Sequence, residues 1–201
     1  MPYPEPNAFF INLDRRKDRL EQIQAEVERA GIVCERFSAI ERNPGILGCG
    51  LSHLAVLKEA KARSYPSVLI LEDDFELTVS PEEFHTTLQE FFALEIPWDV
   101  LMISYHINSG APTEYPMLQK VLDGQTASGY IVNAHFYDTL ISLYETAMPL
   151  LKSTGRHWDY ANDQVWKKIQ PTSNWYALTK RQGRQRASYS DNCQKFMDYG
   201  I

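Results

Sequence analysis

The chain predicts an α/β fold, a single domain over residues 1–201 with a largely parallel, Rossmann-like central sheet flanked by helices. Three observations carry that prediction. Strand-sized apolar runs alternate with helical periods across roughly the first hundred residues. The run Val68–Leu71 is continuous rather than alternating, as in a strand covered on both faces. A length of 201 residues with 44% hydrophobic content supplies one real core and is marginal for two.

Ala8–Leu13 reads as a buried strand. Asp14 then caps a helix to about Ala30, in which Leu20, Ile23 and Val27 recur at spacings of three and four, and Gly31 takes the C-terminal glycine position. The segment IVCERFSAI (32–40) closes a β-α-β unit. NPGILGCG (43–50) reads as a loop, with Ser52 capping the next helix, where Leu54, Leu57 and Lys61 set the period. Tyr65-Pro66 stops it, because proline disfavours helix just before itself.

After Val68–Leu71, Ser80-Pro81-Glu82-Glu83 is a helix start with a cap, a proline in the first turn and a capping-box glutamate; that helix runs to about Leu94. Asp99–Ser104 is a strand and Ile107–Tyr115 a loop. Val121–Leu122 and Ala127–Val132 read as a short hairpin about Asp123-Gly124. Helices follow at roughly Ala134–Leu151 and Tyr160–Ile169; the basic residues Lys180, Arg181, Arg184 and Arg186 have no periodicity.

A net charge of −6 disfavours nucleic acid as a partner. Three cysteines, Cys34, Cys49 and Cys193, argue against a disulfide framework and favour a reducing compartment. No stretch approaches the roughly 20 apolar residues of a transmembrane span. No basic region precedes Ala8–Leu13, so a cytoplasmic location is expected.

Ligands of parallel α/β sheets lie off the carboxyl ends of the strands, where LILEDDFEL (69–77) places Glu72, Asp73 and Asp74. Carboxylates this close repel, and a hard divalent cation, Mn²⁺ or Mg²⁺, compensates best. In extended backbone Glu72 and Asp74 share a face, so they are the expected metal pair, with Asp74 coordinating directly. The other reading is a solvated strand end, with Asp73 or Asp74 capping a turn.

The ordered set FFINLDRRKDRLEQI (9–23), ERFSAI (35–40), GILGCGLSHLAVLKEA (45–60) and VLILEDDFEL (68–77) resembles glycosyltransferase family 25, the lipooligosaccharide and collagen galactosyltransferase-like group. The likeness covers roughly residues 8–78, and TASGYIV (126–132) resembles the next block. The chain is shorter than many members, and the match loosens after residue 135.

The resemblance implies a GT-A type fold, a nucleotide-sugar donor and a divalent metal. It implies a donor- and metal-binding half at about 8–105 and an acceptor half at about 106–201. Its motifs fall on Asn12, Leu13, Arg15, Arg16 and Arg19, on Gly48, Ser52 and His53, and on Glu72, Asp73 and Asp74. Arginine suits phosphate geometry, although beside Lys17 and Asp18 these three also read as a solvated helix face. Asn12 could read a base edge, and Ser52-His53 could face phosphate or sugar; His53 could equally be structural. Cys49 reads as packing. For an inverting reaction HWDYANDQVW (157–166) offers Asp163 or Asp159 as base, with Trp158 and Trp166 for stacking on sugar; a helix cap and a core tryptophan is the alternative. His157 and Asp191 are further metal-ligand candidates.

The expected activity is hexosyl transfer, of galactose or glucose, from a UDP-sugar to a glycan or hydroxyl acceptor, as in lipopolysaccharide biosynthesis. The alternatives are a nucleotide-sugar hydrolase at the same metal site and a non-catalytic nucleotide-sugar-binding module.

Overall fold

The computed structural model describes residues 5–190, 195–198 and 200. In chain order they form β1 (Asn7–Asn12), α1 (Lys17–Ala30), β2 (Cys34–Ser38), α2 (Gly45–Ala62), β3 (Ser67–Glu72), β4 (Phe75–Leu77) and α3 (Pro81–Ala93). Then come β5 (Val100–Pro112), β6 (Leu118–Asn133), α4 (Tyr137–Thr154), α5 (His157–Tyr160), α6 (Asn162–Val165), β7 (Trp175–Leu178), β8 (Gly183–Gln185), β9 (Ser188–Ser190) and β10 (Lys195–Met197).

Six strands build the central sheet in the order β2-β1-β3-β6-β5-β7. β1 runs parallel to β2 and β3, and β5 parallel to β7, while β6 is antiparallel to β3 and β5. The continuous apolar runs have the expected cause. Phe9, Val68 and Ile70 join one core with residues of α2 and α4. Phe10, Leu69 and Leu71 join a second core with residues of α1 and α3. Both faces of β1 and β3 are therefore covered, and Ala8–Ile11 and Val68–Leu71 are apolar throughout.

Local differences from the sequence reading have physical reasons. Asp14 does not cap α1; its carboxylate accepts from Arg36 (2.5 Å) and Ser38 (2.7 Å), tying the end of β1 to β2. α2 begins at Gly45, so most of NPGILGCG is its first turns and Ser52 is interior. The Ser52 hydroxyl accepts from the Ile40 N–H and donates to the Gly48 carbonyl, satisfying a helix-interior polar group that sequence reads as a cap. Ser80 does cap α3, accepting from the Glu83 N–H at 3.1 Å.

The largest difference is at residues 107–125. The expected loop and short hairpin are the outer halves of β5 and β6, whose pairing continues from Val100↔Val132 to Pro112↔Gln119 through several register shifts. The irregularities and the exposed, polar outer half of β5 hide the strand period. The helix expected at 160–169 is broken at Ala161, which is extended (ψ 153°). Among the described residues no helix is long and apolar enough to cross a membrane.

Candidate active site

Glu72 ends β3, and Asp73-Asp74 form the turn into β4. That turn, rather than strand alternation, brings Glu72 and Asp74 to one cleft, which corrects the expected extended geometry. The cleft holds about 160 Å³. Its lining comes from Leu13, Arg15 and Arg19, from Ala39–Arg42, from Gly45, Gly48, Cys49, Ser52 and His53 on α2, from Glu72–Asp74, and from Gln185 on β8. It lies off the carboxyl ends of β1 and β3, as a parallel arrangement requires.

Phe75 fixes the turn. A Cβ on Gly183 would sit 2.1 Å from its ring, and one on Gly129 2.9 Å, so the ring fills a slot that only glycines leave open. β8 pairs with β4 directly behind it, Phe75 opposite Gln185. Arg186 donates its N–H to the Asp74 carbonyl at 2.6 Å, and its side chain approaches Glu26 and Glu76. This part of the basic segment is thus bound to the acidic turn.

The three carboxylates have different environments. Asp74 is 6% exposed. Burial first, then the charges of Glu72 and Asp73, push its pKa up to about 7, against Arg19 at 3.2 Å and a hydrogen bond from Gln185. Its Oδ1 has no hydrogen-bond partner among the described residues. Asp73 accepts from Arg19 and Asn12, both at 2.8 Å, yet burial still raises its pKa. Burial opposes ionisation of Glu72 too, but the hydrogen bond and charge of His53, with Cys49 and Arg19, hold its pKa below the usual value.

Behind Glu72 stands a buried polar chain. His53 is fully buried; Nε2 is 3.1 Å from Glu72 Oε1, and Nδ1 is 2.8 Å from the Tyr130 hydroxyl, with the two rings stacked. The Cys49 thiol donates to the same Glu72 oxygen at 3.5 Å, and burial, followed by Glu72, pushes its pKa well up. Ligand atoms of Cys49, His53 and Glu72 all lie within 4.8 Å of one another, close enough to ring an ion.

The remaining candidates divide. Leu13, Arg15, Arg19 and Gly48 line the cleft; Arg15 pairs with Glu41 at 2.7 Å. Asn12 is 1% exposed and outside the cleft lining, and its amide donates to Asp73 and to the Arg16 carbonyl, bracing the turn. Arg16 is absent from the lining; it pairs with Asp18 and donates to the Tyr189 carbonyl.

Asp163 accepts from the Thr126 N–H at 3.2 Å, and burial first, with Glu72 adding its charge, raises its pKa. Thr126 has φ +79°, a strained conformation for a β-branched residue. Asp159 pairs with Arg156 at 2.6 Å, is 42% exposed and lines no part of the cleft. Trp166 is wholly buried, donating to the Gly124 carbonyl, so it is core and not a sugar platform; Trp158 is exposed. His157 is exposed on α5, apart from the cleft lining, and Asp191 lies outside the described residues. Gln185 and Arg42 carry no motif of their own, and Thr126 and Tyr130 fall in the TASGYIV block (126–132) without standing out there as site residues.

No family model matches the chain. Procollagen galactosyltransferase 1 of Danio rerio is 26% identical over 125 residues, covering 48% of this chain and 21% of that protein, so the match spans about a fifth of the relative's length. Among solved structures, a glycosyltransferase involved in the glycosylation of the major capsid of PBCV-1 aligns with TM-score 0.54 and 10% identity, over 94% of this chain and 97% of that one. A197 from STIV aligns with TM-score 0.53 and 15% identity, over 96% and 93%. At these identities the likeness is one of fold, and the fold is the mixed α/β, GT-A type arrangement that the sequence implies.

Proposed function

We propose that the protein is a glycosyltransferase of the family 25 kind, moving galactose or glucose from a UDP-sugar to a hydroxyl of a glycan acceptor with inversion. The observation that carries the reading is Asp74: a buried carboxylate with an unpartnered oxygen, beside Glu72, on a cleft that arginines also line. A single guanidinium, Arg19, faces this cluster of three carboxylates, and a cluster so incompletely compensated is costly unless a cation completes it. Oxygen-only donors suit Mn²⁺ or Mg²⁺, with Glu72 and Asp74 as the holders. Such an ion, when bound, offsets the charge of a departing diphosphate.

The chain's own groups supply the rest. Arg15 and Arg19 offer guanidinium N–H donors to phosphate oxygens. His53, wedged between Tyr130 and Glu72, holds the Glu72 carboxylate in place. Asp163, with its pKa raised by burial and oriented by the Thr126 N–H, is the group suited to take the acceptor hydroxyl's proton. The partial match to a galactosyltransferase and the whole-chain fold likeness to a glycosyltransferase support the same reaction class.

Calorimetry with UDP, with and without Mn²⁺, on wild type and Asp74→Ala tests the reading. Binding that requires the ion and is lost in the variant supports it; equal, ion-independent binding in both proteins removes the Glu72–Asp74 pair. A transfer assay with UDP-galactose and UDP-glucose, with and without saccharide acceptors, separates transfer from hydrolysis.

A further inference from the structure

We propose that Cys49, His53 and Glu72 form a second metal site, for a thiophilic divalent ion such as Zn²⁺, and that an ion there inhibits the protein by taking Glu72. The site itself stands on geometry alone; the inhibition rests on the function proposed above.

Cys49 and His53 stand four residues apart on α2, so they project from one side of the helix. Both meet the same Glu72 oxygen, Nε2 at 3.1 Å and Sγ at 3.5 Å. Tetrahedral zinc, with nitrogen, sulfur and carboxylate ligands at about 2.0–2.3 Å, sets its ligands roughly 3.3–3.8 Å apart. The metal-free triad is therefore already near coordination spacing, and only small side-chain shifts would admit the ion.

Charge and protons balance. The Cys49 S–H bond breaks, a metal–sulfur bond forms, and the proton leaves to solvent through the cleft. A dication, a thiolate and a carboxylate then sum to zero, which suits a buried corner better than Glu72 alone. The Tyr130 hydroxyl, 2.8 Å from Nδ1, supplies the outer partner that metal-binding histidines use. In the metal-bound form Nδ1–H donates to the Tyr130 oxygen, leaving the Nε2 lone pair for the ion. Cys49 and Glu72 both line the cleft, so the ion has an entry path and a fourth position open to water.

The Glu72–Asp74 pair offers oxygens alone and suits hard ions; the Cys49–His53–Glu72 set offers sulfur and nitrogen and suits soft ones. Because Glu72 belongs to both, an ion at one site competes with an ion at the other for its carboxylate.

Cobalt(II) titration of the metal-stripped full chain tests the site. We expect thiolate-to-cobalt charge-transfer absorption saturating at one equivalent and displaced by Zn²⁺. It should vanish in Cys49→Ser and Cys49→Ala and persist in Cys34→Ser and Cys193→Ser. One equivalent of Zn²⁺ should raise the melting temperature of wild type and of neither Cys49 variant, a readout that also reports whether the variants fold. No thiolate absorption in wild type, or undiminished absorption in folded Cys49→Ser, overturns the site.

For the inhibition, with each protein read against its own zinc-free, Mn²⁺-supported rate, the zinc concentration for half-inhibition should rise about tenfold or more in Cys49→Ser. Equal zinc sensitivity in the two proteins overturns the link to Glu72. A protein with cobalt–thiolate absorption but no transfer activity keeps the site and sinks the proposed function instead.

Discussion

One wall of the cleft comes from residues 11–74, in consecutive pieces of β1, α1, the loop after β2, α2 and the end of β3. The other side of the site is Gln185 in the lining and, outside the lining but close enough to Glu72 to feel its charge, Asp163 with Thr126, brought together from three distant places in the chain. On the first side each acid has a nearby cation or donor: Arg19 and Asn12 for Asp73, Arg19 and Gln185 for Asp74, His53 for Glu72. On the second, the buried Asp163 accepts from the backbone N–H of a strained residue and from the Gln164 side chain. The first side thus draws most of its partners from its own sequence neighbourhood, whereas the second depends on long-range strand pairing.

The sharpest way to break this contrast is to set the two candidate bases, the buried Asp163 and the more exposed Asp159, against each other. Asp163→Asn should lower kcat by about 10²–10⁴-fold, the usual worth of a general base. Asp159→Asn should stay within about fivefold of wild type, because an exposed ion pair contributes little. Steady-state kinetics with a UDP-sugar checks both. Equal losses, or a loss confined to Asp159→Asn, would mean that burial beside Glu72 is the wrong criterion.

The legibility of the two walls follows from how each is built. Val68–Leu71 and the helical period of α1 are local signals, and the parallel β1–β3 core forms where they predict it. The acidic turn was likewise readable, because three carboxylates after a buried strand demand compensation. What was not readable is which side chains the compensation recruits. Gln185 reaches Asp74 only because β8 pairs with β4, about 110 residues away in sequence. The long β5–β6 ribbon was lost for a similar reason: its register shifts break the period-2 pattern in just the stretch that leads to Thr126.

Asp74→Asn sharpens the comparison from the other side. Losing the direct ligand should weaken Mn²⁺ binding about 100-fold or more, measured by calorimetry. The same change should stabilise the metal-free fold at pH 8. The folded-state pKa, about 7, lies above the unfolded 3.8, so the native state holds a proton that the unfolded state has released. Stability of wild type therefore falls as pH rises from about 4 to about 7 and levels off above, and the asparagine variant lacks that fall. Mn²⁺ affinity runs the opposite way, rising with pH until Asp74 is ionised near 7 and then flattening. A wild-type melting curve that is flat across this range would show that Arg19 already compensates the charge.

A smaller effect tests the seam between the walls. Gly183→Ala puts a Cβ 2.1 Å from the Phe75 ring, a clash that the ring, itself close against Gly129, cannot escape cheaply. Overpacking of this kind costs about 1–3 kcal/mol, or roughly 3–9 °C in Tm for a chain of this size. Phe75→Leu in the same background should recover part of the loss, since the shorter side chain vacates the slot. Unchanged melting would mean that β8 can slide on β4 and that the far wall is less fixed than the pairing suggests.

The smallest effect is the most discriminating about strain. Thr126 holds φ +79°, which costs a β-branched residue about 1–3 kcal/mol, and its N–H is aimed at Asp163. Glycine adopts this backbone freely but adds about 0.5–1 kcal/mol of unfolded-state entropy to be overcome. The two terms oppose, and the strain is the larger. Thr126→Gly should therefore raise stability by about 0.5–1 kcal/mol, where a glycine inside a regular strand would lower it. The donor to Asp163 is backbone and survives the change, so kcat should stay within about threefold. A gain in Tm with kcat retained says that the conformation, not the threonine side chain, serves the aspartate. A gain in Tm with kcat lost would say that the rigidity itself holds Asp163 in register, and that this wall is tied down by strain where the other is tied down by charge.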